Sequence, residues 1–318
     1  MIVQILLLVL GLGLLIKGAD WMVSGATALA KKHQISDLAI GLTIVAFGTS
    51  APELVVNTFA AVQNHHDLVF GNVIGSNNVN LFFILGISGL ITPLVVQSST
   101  VWKEIPLSLF AVVLLYFLAN DILSPGVNFL SRIDGLILLA LFAGFLFYVY
   151  KQLKTDKQES LPDQKHFTNV KIWIFIIIGM AGLVIGGRLV VTNAVEMATA
   201  LGVSEKIVGL TIVALGTSLP ELATSVVAAL KKNNDIAVGN IIGSNIFNIF
   251  LILGVSSVLT PVIYHPVFNT DLWLLGGGTL ILFIAMFTGQ RKKLDRWEAG
   301  ALLLIYVVYT VYIILKEL

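Results

Sequence analysis

Residues 41–50 read GLTIVAFGTS and residues 209–218 read GLTIVALGTS, ten positions that differ only at Phe47 and Leu215. The same offset of 168 aligns Pro52 with Pro220, Gly71 with Gly239 and Pro93 with Pro261, with no gap. The chain is an internal duplication, so whatever one half builds the other half builds again. Between the copies lie residues 151–170, KQLKTDKQESLPDQKHFTNV, which hold almost no large apolar side chains and read as a solvated linker. The expected organisation is a first repeat at 1–150, a linker at 151–170 and a second repeat at 171–318, with the strongest likeness between 41–86 and 209–254.

The chain surrounding these copies belongs in lipid. Of 318 residues, 57% are apolar and only 12% charged, and mean hydropathy is +0.94. A soluble domain carries about 25% charged residues, so several helix surfaces must face something other than water. A net charge of +1 gives no basic field for phosphates, which excludes nucleic acid as a partner. With no cysteine there is no disulfide frame, thiolate metal site or cysteine nucleophile, which leaves oxygen and nitrogen ligands.

Runs of about 20 mostly apolar residues predict spans at 3–30, 38–63, 68–92, 104–119, 132–150, 171–200, 204–230, 236–260, 271–288 and 297–315. The first lacks a basic leader and a small-residue cleavage site and is expected to be a retained helix. The fold class is then an all-α polytopic membrane protein of about ten helices. An odd number of spans per half makes the second half enter the bilayer from the other side, giving two inverted five-helix repeats. Loops after odd-numbered spans hold Lys31, Lys32, Lys103, Lys151, Lys154, Lys157, Lys165, Lys171, Lys231, Lys232, Arg291, Lys292, Lys293 and Arg296, against Arg132, Lys206 and Lys316 on the other side. The basic side faces the cytoplasm, so the N-terminus is expected outside and the 151–170 linker inside a plasma membrane.

Polar residues interrupt the second and seventh spans near their middles: Gly48, Thr49, Ser50, Pro52 and Glu53, repeated as Gly216, Thr217, Ser218, Pro220 and Glu221. Proline brings no amide hydrogen and crowds the preceding turn, so a broken helix at the midplane is expected, with carbonyls freed near 48 and 216. Such backbone survives at that depth only inside protein or against a cavity, where cations suit carbonyl oxygens. Ser50–Glu53 and Ser218–Glu221 also fit a helix-capping box, but glutamine would cap without charge, whereas an ionised carboxylate in mid-membrane costs a few kcal/mol. Two such carboxylates match one divalent cation or a few monovalent ones. Asn72, Ser76 and Asn80, repeated as Asn240, Ser244 and Asn248, recur every four residues and add a polar helical face. Hard cations accept such oxygens, and hydrogen bonding between helices is the competing use. The pairs Gly71/Gly75 and Gly239/Gly243 read as close-packing positions, and Lys17 with Asp20 as a local pair.

GTSAPE with GNVIGSNNVN, and GTSLPE with GNIIGSNIFN, resemble the α-repeats of the sodium/calcium exchangers in the calcium/cation antiporter superfamily. With five spans per half and the central linker, the likeness covers essentially the whole chain. The resemblance implies that Glu53 and Glu221 bind Ca²⁺ and Na⁺ in turn. It also implies carbonyl ligands at Thr49, Thr217, Ala46 and Ala214, hydroxyl ligands at Ser50, Ser76, Ser218 and Ser244, and a central-site asparagine at Asn80. At 248 several prokaryotic relatives and the potassium-dependent exchangers carry aspartate, whereas Asn248 matches potassium-independent animal exchangers, which implies independence from K⁺.

The expected activity is electrogenic Na⁺/Ca²⁺ antiport by alternating access, with spans one and six as the gating helices and a monomer sufficient. No cofactor is expected beyond the transported ions. A proton bound at Glu53 or Glu221 would instead give H⁺/Ca²⁺ exchange, and a passive channel would be independent of any counter-ion gradient. An intramembrane serine hydrolase built on GTSA is disfavoured, because His33, His65, His66, His166 and His265 all fall in or beside loops and a hydrolase would not need its site twice.

Overall fold

The computed structural model describes residues 2–120, 128–155, 168–201 and 214–317. Among these, nine helices are long and apolar enough to cross a bilayer. They are α1 (Ile2–His33), α2 (Asp37–Val62), α3 (His66–Ile91), α4 (Thr100–Ala119), α5 (Arg132–Thr155), α6 (Asn169–Ala200), α8 (Asn234–Leu259), α9 (Asn269–Ala285) and α10 (Arg296–Glu317). The shorter α7 (Leu219–Leu230) follows one helical turn at Ala214–Gly216. The rest of the predicted seventh span and most of the linker, 156–167, lie outside the described residues.

Polar residues at the membrane edges start several helices. Ser36 accepts the Ala39 amide ahead of α2, Thr168 accepts that of Lys171 ahead of α6, and Asn233 accepts that of Ile236 ahead of α8. At α5 the Ser131 hydroxyl accepts the Asp134 amide while Asp134 accepts the Ser131 amide at 2.8 Å, a reciprocal cap. The turns after α2 and α7 are duplicates: Asn64 and Lys232 both have φ of 59°, and the next amides reach back to Ala60 O and Ala228 O.

Burial separates the helices into a core and a periphery. In the apolar windows of α8 and α3, 94% and 72% of residues are buried, against 17–28% for α1, α5, α6, α9 and α10. Lipid-facing Leu, Ile, Val and Phe cover the outer helices, while α3 and α8 carry buried Asn and Ser. Two strand pairs that the hydropathy pattern does not announce close the ends: β1 (Leu94–Val95) with β4 (Lys293–Leu294), and β2 (Phe129–Leu130) with β3 (Val262–Ile263).

α1 and α6 lie antiparallel with their backbones in contact. A Cβ added at Gly18 would stand 2.8 Å from Gly179 O and Leu183 N, and one at Gly186 would stand 2.8 Å from Gly11 O and Leu15 N. Gly11 and Gly18 are the counterparts of Gly179 and Gly186, so these two contacts exchange under the offset of 168. Glycine lets the backbones approach here, as at Gly239 and Gly243, where a Cβ would meet Leu38 O at 3.0 Å and Leu42 O at 2.9 Å. The matching expectation at Gly71 and Gly75 is not met among the described residues. Gly71 has only the Phe268 ring at 3.6 Å, Gly75 has nothing within 4 Å, and the counterparts of Leu38 and Leu42 fall outside the description. Asp20 pairs with Lys231 at 2.6 Å instead of Lys17, tying α1 to the end of α7.

Candidate ion-binding site

The interruption at the two GTSxPE segments takes different forms. In α2 the helix runs through Pro52, and the irregularity is a wide π-helical stretch at Gly41–Val45. Pro52 has no N–H to offer the Gly48 carbonyl four residues back, so that bond is missing although the helix continues. In the second copy the helix does break: Thr217 and Ser218 form a turn, and Pro220 sits in the first turn of α7, where a missing N–H costs nothing. Neither serine completes a capping box. Ser50 lies within a helix, and Ser218 occupies the cap position without a side-chain bond to the backbone.

Further π-helical stretches at Val79–Ile84 in α3 and Phe247–Leu253 in α8 contain Asn80 and Asn248. Such widened turns reorient side chains and leave main-chain groups for other partners, and they occur often at functional sites. α2 and α7 thus deliver the carboxylates, and α3 and α8 deliver the polar face.

Glu53 and Glu221 are fully enclosed, at 1% and 0% exposure. Ser50 Oγ donates to Glu221 Oε1 at 3.0 Å, linking the halves. Ser76 flanks Glu53, and Ser244 flanks Glu221. Thr49 Oγ1 donates to Asn240 Oδ1 at 3.1 Å, and Thr217 Oγ1 donates to the counterpart Asn72 Oδ1 at 3.2 Å. Thr49 Oγ1 also reaches Ala46 O at 3.2 Å, and Thr217 comes within 3.5 Å of Ser76 Oγ. Ala214 belongs to the short turn that packs against α3 and α6. Thr49, Ser50, Ser76, Ser244 and Asn248 thus stand beside one glutamate or the other, Thr217 joins them through Ser76, and among the described residues no hydrogen bond ties Asn80, Ser218, Ala46 or Ala214 directly to a carboxylate.

The remaining chemistry is a surplus of oxygen. Glu53 Oε1, Glu221 Oε2, Ser218 Oγ, Ser244 Oγ and Asn80 Oδ1 are all buried without a hydrogen-bond partner among the described residues. Among those residues no cluster of three His, Cys, Asp or Glu side chains exists. The donor set is therefore two carboxylates and several neutral oxygens, which suits a hard cation. Asn240 serves as a strut, its Nδ2 spanning to Ser225 Oγ at 3.0 Å while its oxygen receives Thr49, whereas Asn72 receives Thr217 but its Nδ2 has no partner among the described residues. Asn57, whose Nδ2 donates to Glu53 O at 2.7 Å, is a supporting residue that the motifs alone do not mark.

Comparison with known proteins identifies the family and the fold. The family model for sodium/calcium exchanger proteins matches residues 3–151 and 171–315. The putative antiporter CaxA of Alkalimonas amylolytica is 38% identical, with the alignment covering 97% of this chain and 98% of that protein. The sodium/calcium exchanger MaX1 of Methanosarcina acetivorans is 31% identical over 97% and 98% of the two chains. The solved structure of the sodium-calcium exchanger NCX_Mj superposes with a TM-score of 0.82 at 32% identity, covering 96% of this chain and 97% of that one. A polytopic membrane chain with an oxygen-lined carboxylate pair at its centre, matched end to end by these antiporters, belongs to the sodium/calcium exchanger family.

Proposed function

We propose that this protein exchanges Na⁺ for Ca²⁺ across the membrane, using Glu53 and Glu221 as one site that the two ions occupy in turn. The observation that carries the reading is the enclosed carboxylate pair surrounded by unpartnered oxygens from both halves. Leaving two charges buried costs several kcal/mol each, and a bound Ca²⁺ offsets both at once. The names of MaX1 and NCX_Mj, which describe sodium/calcium exchange, support the choice of ions. Ser50, Ser76, Ser218, Ser244, Thr49, Thr217, Asn80, Asn248, Ala46 and Ala214 complete the proposed ligand set.

Alternation follows from occupancy. Only a neutralised site can pass between two water-facing positions without exposing bare charge to the apolar core, so an empty carrier stays put and antiport results. α1 and α6, joined at their glycine contact, would slide over the core as a pair. Reciprocal bonds at the offset of 168, such as Thr49–Asn240 and Thr217–Asn72, support reading 1–150 and 171–318 as inverted repeats joined by the linker. The charge of the loops supports an external N-terminus and a cytoplasmic linker in the plasma membrane, with one chain sufficient. Two carboxylates neutralise one Ca²⁺, whereas more than two Na⁺ leave positive charge, so exchange is electrogenic. Asn248 in place of a third acid removes a charge that K⁺ would need.

The test is Ca²⁺ uptake into proteoliposomes loaded with Na⁺ and diluted into Na⁺-free medium, beside K⁺-loaded vesicles and vesicles with a pH gradient. Uptake should require internal Na⁺ and be absent in a Glu53→Gln, Glu221→Gln double variant. Uptake driven by the pH gradient would transfer the assignment to H⁺/Ca²⁺ exchange, and uptake under neither gradient would mark a channel.

A further inference from the structure

Two buried asparagines outside the proposed ligand set, Asn77 and Asn245, meet where α3 and α8 cross. Each donates its side-chain amide to the other's main-chain oxygen, Asn77 Nδ2 to Asn245 O at 3.3 Å and Asn245 Nδ2 to Asn77 O at 3.4 Å. With both nitrogens committed, both side-chain oxygens are left as acceptors, and each is used by the opposite half. Asn80 Nδ2 donates to Asn245 Oδ1 at 3.0 Å, and Asn248 Nδ2 donates to Asn77 Oδ1 at 3.0 Å.

An amide carries its donor at one end and its acceptor at the other, so a held nitrogen points the oxygen the opposite way. Asn80 Oδ1 is buried without a partner among the described residues. Asn248 Oδ1 lies 3.2 Å from Glu53 Oε2 and 3.3 Å from Ser244 O, three acceptors together. Turned over, Asn248 would satisfy Glu53 with its own Nδ2, but its oxygen would then stand 3.0 Å from Asn77 Oδ1. Asn77 could relieve that clash only by turning too and giving up its bond to Asn245 O. The same arrangement on the Asn80 side favours the orientation that keeps every bond of the crossing.

We propose that Asn77 and Asn245 are positioning residues for cation binding. They hold the amide of Asn248 with its oxygen toward Glu53, and that of Asn80 with its oxygen free of the crossing, so that neither asparagine spends an amide donor on the carboxylates and both keep an acceptor for a cation. This rests on the reading of the glutamate pair as the Na⁺/Ca²⁺ site. Without the Asn77 acceptor, the Asn248 amide is free to rotate, which replaces a cation ligand with a donor that competes for Glu53. A carboxylate at position 248 has oxygen at both ends and needs no such restraint.

The test is a double-mutant cycle of Asn77→Ala and Asn248→Asp, with Ca²⁺ binding by calorimetry and Na⁺-driven Ca²⁺ uptake measured on the parent, both single variants and the pair. Asn77→Ala should weaken Ca²⁺ binding about tenfold in the parent background, equivalent to ~1.4 kcal/mol, and less than about twofold in the Asn248→Asp background. Equal losses in both backgrounds would make Asn77 a packing residue and overturn the proposal, as would no loss in the parent. If Asn77→Ala fails to fold, judged by thermal unfolding, the counterpart cycle of Asn245→Ala and Asn80→Asp decides by the same criterion. A parent that binds Ca²⁺ but shows no Na⁺-driven uptake would defeat the exchange reading, while the binding cycle would still report on amide orientation.

Discussion

A methyl group added at Gly18 should slow exchange while leaving the ion site intact. Its Cβ would stand 2.8 Å from Gly179 O and Leu183 N, about 0.6 Å inside ordinary van der Waals contact with backbone that cannot rotate away. α1 and α6 must separate or shift register, and overpacking of this kind costs roughly 1–3 kcal/mol. If the pair slides over the core during transport, a splayed pair fits the core differently in the two access states, and the cost falls unequally on them. The balance between the two access states then moves by about 5- to 150-fold, and turnover falls because one state is depleted. Gly13→Ala provides the control: it lies on the same helix, undergoes the same substitution and has nothing within 4 Å of the added atom. The assay is the maximal rate of Na⁺-driven Ca²⁺ uptake per folded protein, beside equilibrium Ca²⁺ binding in detergent. Gly18→Ala should lose at least about fivefold in rate with Ca²⁺ binding changed by less than about threefold. A rate equal to that of Gly13→Ala, or a loss confined to Ca²⁺ affinity, would refute sliding of the α1–α6 pair over the core.

Other outcomes follow from the same geometry. Glu53→Gln or Glu221→Gln should each weaken Ca²⁺ binding by more than about a hundredfold, since each removes one of two charges facing a divalent ion in a buried site; calorimetry reads this directly. Lys231→Ala removes the 2.6 Å pair with Asp20, a third or more exposed on both sides, and should lower unfolding free energy by no more than about 1 kcal/mol, seen as a small fall in melting temperature. Ca²⁺ uptake in exchange for internal Na⁺ should speed up when a K⁺ diffusion potential makes the vesicle interior positive, because net positive charge leaves with Na⁺; equal rates at all potentials would contradict electrogenic exchange.

Hydropathy located nine of the ten spans to within a few residues, because lipid leaves helix as the main way to satisfy a backbone and makes its surface apolar. The candidate site residues are legible for a related reason: in such a background Glu53, Asn80 and Ser76 stand out as costs that packing does not require. Asn77 was missed because it falls off the four-residue stripe of Asn72, Ser76 and Asn80, and only the crossing of α3 and α8 brings it to Asn245. The π-helical stretches leave no trace in composition, since widening a helix changes which carbonyls are free and not which residues are apolar. The expectation that both proline segments break their helices held in the second copy alone. There Pro220 could sit in a first helical turn, whereas Pro52 lies within a continuous helix. The seven-residue spacing of Gly11, Gly18 and Gly25 was present in the sequence, but its meaning appears only with Gly179 and Gly186 facing it.

The claim at the centre of this account is that Na⁺ and Ca²⁺ compete for the Glu53–Glu221 pair. The most direct measurement is Ca²⁺ binding to the purified protein by calorimetry across a series of Na⁺ concentrations at constant ionic strength. Competition predicts that the apparent dissociation constant for Ca²⁺ climbs without limit as Na⁺ rises, while the number of bound Ca²⁺ stays fixed. A dissociation constant that levels off, or that does not respond to Na⁺ at all, would place the two ions on separate sites and contradict the account.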